Sequence, residues 1–205
     1  MIKFKKKQKA KKIFNVEAYG KLPIYNDYID TVFEQESVLW SRYLQNTFDN
    51  RQRLPDGLWP FIYLSSIKSN AVVGIIEQSS DGSRQFPFCV FTVQKNFHVK
   101  EGIGIIEIWK ELECIRTQIK KINDINNFYE IVQGKTFHID LEQTEPIEYI
   151  ASCVSKLKDE RDIILLFSDL NATKCILESN DSFFNFIIHD NDKSEYETNE
   201  EIHNK

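Results

Sequence analysis

Two short polar clusters set among apolar residues carry most of the chemistry this sequence offers. The first is Tyr19-Gly20-Lys21-Leu22-Pro23-Ile24-Tyr25-Asn26-Asp27-Tyr28, which places an amine and a carboxylate in a stretch kinked by Gly20 and Pro23. The second is Ser79-Ser80-Asp81-Gly82-Ser83-Arg84-Gln85-Phe86-Pro87-Phe88, with Asp81 and Arg84 at the tip of a hairpin. A guanidinium takes a carboxylate bidentately, so Arg84 paired with Asp27 or Asp81 locks the two loops into one rigid surface. Tyr25, Tyr28 and Phe88 then supply aromatic contact area for a protein partner, with Lys21 beside them. The same residues admit a different chemistry, that of a small hydrolase or transferase working through a carboxylate and Arg84. That reading requires a concave site and a perturbed carboxylate. Each cluster also has a purely local explanation, Asp81-Gly82 as a turn and Asp27 as an Asx turn or helix-entry cap.

Other catalytic patterns are missing. The sequence contains no GxSxG, HExxH or GxxxxGK[ST], and no H-x-E followed by C-x-x-C. Gly102-Ile103-Gly104 precedes a helical pattern as a dinucleotide loop does, but Glu107 stands where the third glycine belongs. His98, His138, His189 and His203 are scattered, and none has a second His or a Cys three or four residues away. Cys89, Cys114, Cys153 and Cys175 form no CxxC pair, so they read as small buried apolar residues of a reducing cytoplasm rather than as zinc ligands or disulfides. No catalytic, cofactor-binding or metal-binding residue is therefore assigned, and the chain reads as an interaction protein.

Charge narrows the partner. Lys3, Lys5, Lys6, Lys7, Lys9, Lys11 and Lys12 place seven cations in the first twelve residues, and the remainder holds 19 basic against 31 acidic residues, a balance of −12. An acidic body is a poor binder of nucleic acid, where phosphate contacts need clustered cations. The basic leader itself reads as a solvated terminus, with attachment to anionic lipid as the alternative. No run approaches the roughly 18 apolar residues of a membrane span, so stable insertion is not expected.

The elements that must position the two clusters follow from periodicity. Residues 13–19 alternate, with Phe14, Val16 and Ala18 on one side, as a strand does. Trp40, Tyr43, Leu44, Thr47 and Phe48 make the apolar stripe of a helix over 36–48. Three apolar runs, 61–64, 71–76 and 86–93, predict an antiparallel meander whose third strand begins at an edge or bulge because of Pro87. Ile108, Leu112, Ile115, Ile119 and Ile122 predict a helix over 103–122, and a further helix is expected over 145–158. Strands are expected at 163–167, 174–177 and 184–188. The domain plan is a basic disordered leader at 1–12, one domain at 13–189 and an acidic disordered tail at 190–205. The class is α+β (α/β sandwich), a largely antiparallel sheet with helices packed on its faces.

The residues also resemble a known family. Tyr19 to Ile29, Y-G-K-L-P-I-Y-N-D-Y-I, is similar to the G-K-L-P-x-x-G-D-F signature of the TagF/ImpM proteins, accessory to bacterial type VI secretion. Trp40-Ser41-Arg42-Tyr43-Leu44-Gln45 resembles that family's W-D-x-W-L-Q helix, and Trp59-Pro60-Phe61 its W-R-F entry to a strand. Gly74-Ile75-Ile76, Ser80-Asp81 and Ser83-Arg84-Gln85-Phe86-Pro87 resemble its G-V-x-x-x-S-x-D-x-x-G-R-x-F-P hairpin. The four pieces keep their order over residues 14 to 95. Asn26 and Ser83 replace glycines of the pattern. The resemblance implies a non-catalytic, cytoplasmic protein of a Gram-negative bacterium. Such a protein would regulate assembly of the secretion machine after translation by binding an FHA-domain scaffold component, without a cofactor.

Overall fold

The computed structural model describes residues 11–23, 27–48, 54, 56–65, 70–80, 82, 84–97, 104–140, 163–170, 175–179 and 187–188. Its elements are β1 (Lys11–Asn15), β2 (Glu17–Lys21), β3 (Tyr28–Asp30), α1 (Gln35–Phe48), β4 (Leu58–Leu64), β5 (Ala71–Ser80) and β6 (Gln85–Gln94). They continue with α2 (Ile105–Ile119), α3 (Ile125–Val132), β7 (Thr136–Asp140), β8 (Ile163–Phe167), β9 (Cys175–Ser179) and β10 (Ile187–Ile188). One sheet orders eight of these strands as β10-β9-β8-β4-β5-β6-β2-β3, and β1 pairs with β7 in a separate ribbon. Every pairing is antiparallel. The fold is α+β, a mostly antiparallel sheet with helices on its faces.

The central strands are buried on both faces, and this explains their nearly unbroken apolar runs. Ile62, Leu64, Val73, Ile75 and Val90 face α2, where Ile108, Trp109, Leu112, Ile115 and Ile119 form the matching stripe. Phe61, Tyr63, Val72, Ile76, Phe91, Ile164 and Leu166 face α1, where they meet Trp40, Tyr43, Leu44 and Phe48. On the α1 side the contact is aromatic: the Trp40 ring stacks on Phe61 at 4.4 Å and on Tyr43 at 5.8 Å. Gly74 makes room for that stack, since a β-carbon there would lie 2.6 Å from the Phe61 ring. The Trp109 indole crosses the other face and donates to the Phe61 carbonyl at 3.3 Å.

Several expectations change in detail. The run at 13–19 is two strands, because the chain leaves the ribbon at Val16, whose N–H donates to the Lys135 carbonyl, and then enters the main sheet. β1 begins at Lys11, so the last two leader lysines are strand residues; the leader up to residue 10, the acidic tail and the helix expected over 145–158 lie outside the described residues. The helix expected over 103–122 ends at Ile119. A second helix, α3, follows, capped by Asp124, whose carboxylate accepts from the Asn126 N–H at 3.0 Å. Pro87 lies inside β6, paired with β5 through Gln78, but beyond the last β2 pair, Gly20↔Phe88. Of the cysteines, Cys89 is buried as expected but Cys114 is exposed, on the polar side of α2.

Candidate functional site

The two polar clusters meet at one end of the sheet. Gly20 of β2 stands opposite Phe88 of β6, and Lys21 stands opposite Tyr28 of β3. The approach of β2 to β6 requires glycine: Gly20 has φ +109°, and a β-carbon would run into the Pro87 carbonyl oxygen. Beyond Pro87, β6 carries Phe86 onto the α1 face, where its ring meets Tyr19 at 6.1 Å, Tyr28 at 5.4 Å and Phe48 at 6.2 Å. Arg84, two residues earlier, is exposed and holds its guanidinium 5.9 Å over the Tyr28 ring. Tyr28 itself is 49% exposed. A cation over an aromatic face, backed by buried rings, makes an amphipathic patch at this end of the sheet.

The expected site residues therefore divide. Tyr28 and Arg84 come together as surface. Lys21 is not on a loop: it ends β2 and is fully buried. Phe88 is likewise not a contact residue; at 1% exposure it belongs to the core beneath α2. Asp27 is exposed, its carbonyl accepts the Leu22 N–H at 3.0 Å, and among the described residues no ion pair joins it to Arg84. The Arg84 guanidinium lies over the Tyr28 ring, and an Asp27–Arg84 pair is not part of this arrangement. Tyr25 and Asp81 lie outside the described residues.

The sequence does not single out the groups that hold this surface in place. Glu17 of β2 is fully buried. Its carboxylate accepts from the Phe33 N–H and the Ser37 hydroxyl, each at 2.9 Å, and so ties the start of α1 to the sheet. Burial pushes this carboxyl above its ordinary value of 4.5; the hydrogen bonds from Phe33, Ser37 and Glu34 oppose the shift, and the Glu34 charge adds to it. Glu34 in turn meets Lys95 at 3.1 Å, and Glu36 accepts from Asn70 at 2.6 Å. The link leaves Phe33 60% exposed in the chain between β3 and α1. Nothing in the alternation of residues 13–19 distinguishes Glu17 from a solvent-facing acid, because only the third dimension shows that a helix lies over that face. The Cys89 thiol, deep under α1, is pushed up to about 12 by burial, so it stays a thiol that donates to the Tyr19 carbonyl.

On the opposite face Glu77 of β5 meets two cations, Arg116 of α2 and Lys120 at its C-terminal cap. Arg116 forks onto it, with Nε 2.9 Å from Oε1 and the second nitrogen on Oε2, and the Lys120 ammonium lies 2.8 Å from Oε2. Among the described residues no group of three or more His, Cys, Asp or Glu side chains is gathered as metal ligands are, and no helix is long and apolar enough to cross a membrane.

No protein-family model and no curated protein matches the sequence. Among solved structures, the chain is similar to PA0076 from Pseudomonas aeruginosa PAO1, known from a crystal structure at 2.05 Å resolution. The likeness has a TM-score of 0.49 and 17% identity, over 75% of this chain and 82% of that chain.

Proposed function

We propose that this chain is a non-catalytic accessory protein of a bacterial type VI secretion system, of the TagF/ImpM kind. In this reading it acts in the cytoplasm and regulates assembly of the machine by binding a scaffold component such as an FHA-domain protein. The observation that carries the reading is the spatial union of the sequence pieces that resemble that family. Gly20 is pressed against Pro87, Lys21 stands opposite Tyr28, and Trp40 stacks on Phe61. Pieces far apart in the chain are thus neighbours, as the parts of one functional unit must be. The binding surface is the Tyr28–Arg84 pair, and the buried Phe86 ring backs it from the same face of the sheet.

Affinity capture of the tagged full-length chain from the bacterium that encodes it, read by mass spectrometry, tests this. Recovery of secretion-machine scaffold subunits, with loss of that recovery in Arg84→Ala at a melting temperature lowered by no more than about 4 °C, is the expected result. Capture that lacks any such subunit removes the proposal. Capture that is indifferent to Arg84 removes the assigned surface.

A further inference from the structure

Glu17 joins three parts of the chain from within the core. Its carboxylate projects from β2, accepts the Phe33 N–H in the link between β3 and α1, and accepts the Ser37 hydroxyl in the first turn of α1. The side chain is fully buried, yet among the described residues no cation pairs with it. The charged groups around it are engaged elsewhere. Glu34 of the link meets Lys95, just past β6, at 3.1 Å; Glu36 of α1 accepts from Asn70 at 2.6 Å; Asp30 of β3 accepts the Val32 N–H at 3.1 Å. β6 sets the uncharged Phe91 opposite Glu17. On β2 the next cation of the same face is Lys21, four residues on and so about 13 Å away. A carboxylate withdrawn from water and met only by neutral donors carries a cost that its protonated form does not.

The cover over this carboxylate is thin and has two fixed ends. At one end Thr31 is tied to Ala18 twice: its N–H donates to the Ala18 carbonyl at 3.1 Å, and its hydroxyl oxygen accepts the Ala18 N–H at 2.8 Å. At the other end Trp40 is fully buried and stacked on Phe61. Between them residues 32–39 are exposed or half-buried, apart from Ser37. We propose that this stretch is a proton-controlled latch: it opens from the sheet more often when Glu17 is ionised and stays closed when Glu17 is protonated. Opening returns the carboxylate to water, so the charge favours the open form and the proton the closed one. Burial accordingly raises this carboxyl above its ordinary value of 4.5 in the closed form, and the Glu34 charge adds to the shift. In the open form it titrates at the ordinary value. The opening constant is therefore smallest below pH 4.5, grows as pH rises through the elevated value, and levels off above it. Within that window one proton is exchanged, so the constant changes by at most about tenfold per pH unit. The latch thereby sets how firmly β3 is coupled to α1.

Amide hydrogen exchange of the full chain, read residue by residue at Phe33 and Val38 between pH 7 and 4.5, tests the proposal. Each rate is divided by that of an unstructured chain at the same pH. In the wild type, protection of these two amides is expected to rise on acidification relative to Glu17→Gln, which has no proton to bind. The rise should be insensitive to low urea, because local opening exposes little surface, whereas amides of the central strands exchange through urea-sensitive unfolding. Glu34→Gln keeps the Glu17 carboxylate but removes the like charge beside it, so it should move the dependence to lower pH. This second variant decides the matter if Glu17→Gln disturbs the fold. Equal pH dependence in wild type and Glu17→Gln overturns the proposal, as does protection that falls on acidification. Exchange of Phe33 and Val38 only through urea-sensitive unfolding overturns it as well, since the stretch then has no opening of its own. None of these outcomes depends on whether a secretion scaffold is captured.

Discussion

Arg84 and Arg116 belong to the same small protein and have opposite work. Arg116 lies in a partly buried seam between α2 and β5, its fork closed on Glu77 and reinforced by Lys120. Arg84 stands exposed at the end of β6, on the face of a tyrosine that is itself half in solvent. The planar guanidinium serves both places because it pairs bidentately with a carboxylate and also stacks on an aromatic ring. What differs is the surroundings. A charge withdrawn from water must be compensated where it sits, so the Glu77 cluster is internally complete and holds a helix on a sheet. A charge left largely in water is compensated mainly by solvent, so its loss should cost the fold little. The Arg116 cluster thus maintains the fold, whereas Arg84 is the residue on which the proposed binding surface depends.

The two buried acids sharpen the same point. Glu77 is matched by two cations, whereas Glu17 is met by a backbone N–H and a hydroxyl. Removal of Glu77 strands Arg116, whose side chain is only 15% exposed, so Glu77→Ala should be the most destabilising substitution of the series. A loss of about 2–3 kcal/mol is expected, below the figure for a fully buried pair because Lys120 and the edge of the seam reach water. Urea denaturation of the purified variant measures it. A loss under about 0.5 kcal/mol would place the cluster among ordinary surface pairs and erase its contrast with Arg84.

How much of this is legible in the sequence depends on which interaction decides each element. The α1 stripe, the β4–β5–β6 meander and the strand at 163–167 are legible, because a core-facing helix and a strand buried on both faces leave long apolar signatures. The meeting of residues 19–28 with 79–88 is legible from charge and turn chemistry, but its nature is not. Alternation gives the side of a strand on which a residue lies; it does not say whether that side is covered. Lys21, Phe88 and Glu17 escape the sequence for this one reason, since each lies on a side that the fold buries. β3 is invisible because three residues, Tyr28-Ile29-Asp30, are too few to show a period. The Glu77–Arg116 link is hidden because its members are 39 residues apart and each is ordinary when taken alone.

Glu17 gives the next test, through acidity. Its carboxyl titrates above the ordinary value of 4.5 because burial disfavours the charge, so the folded protein binds this proton more tightly than the unfolded chain does. The sign follows directly. The contribution of the protonated group is fully present below the unfolded value and is lost as pH rises through the elevated folded value. Relative to Glu17→Gln, which carries no charge at any pH, the wild type should gain stability on acidification from pH 7 toward 4.5. Urea midpoints of the two proteins across that range measure it. A relative loss on acidification would mean that the Phe33 and Ser37 hydrogen bonds outweigh burial and hold the carboxylate ionised.

The smallest effect belongs to the pair assigned to binding. An exposed cation over a ring contributes about 0.5–1 kcal/mol, and both Arg84 and Tyr28 are substantially in solvent. Arg84→Ala, Tyr28→Leu and the double variant form a cycle whose coupling in thermal or urea unfolding should not exceed that range. Partner capture should fall by a much larger factor in either single variant, because a central aromatic–arginine anchor commonly accounts for about 2 kcal/mol or more of an interface. A coupling energy near that of the Glu77 cluster would show that Arg84 maintains the fold as Arg116 does. The boundary between the two arginines would then have to be drawn elsewhere in the molecule, at Phe33 or along the β3 edge.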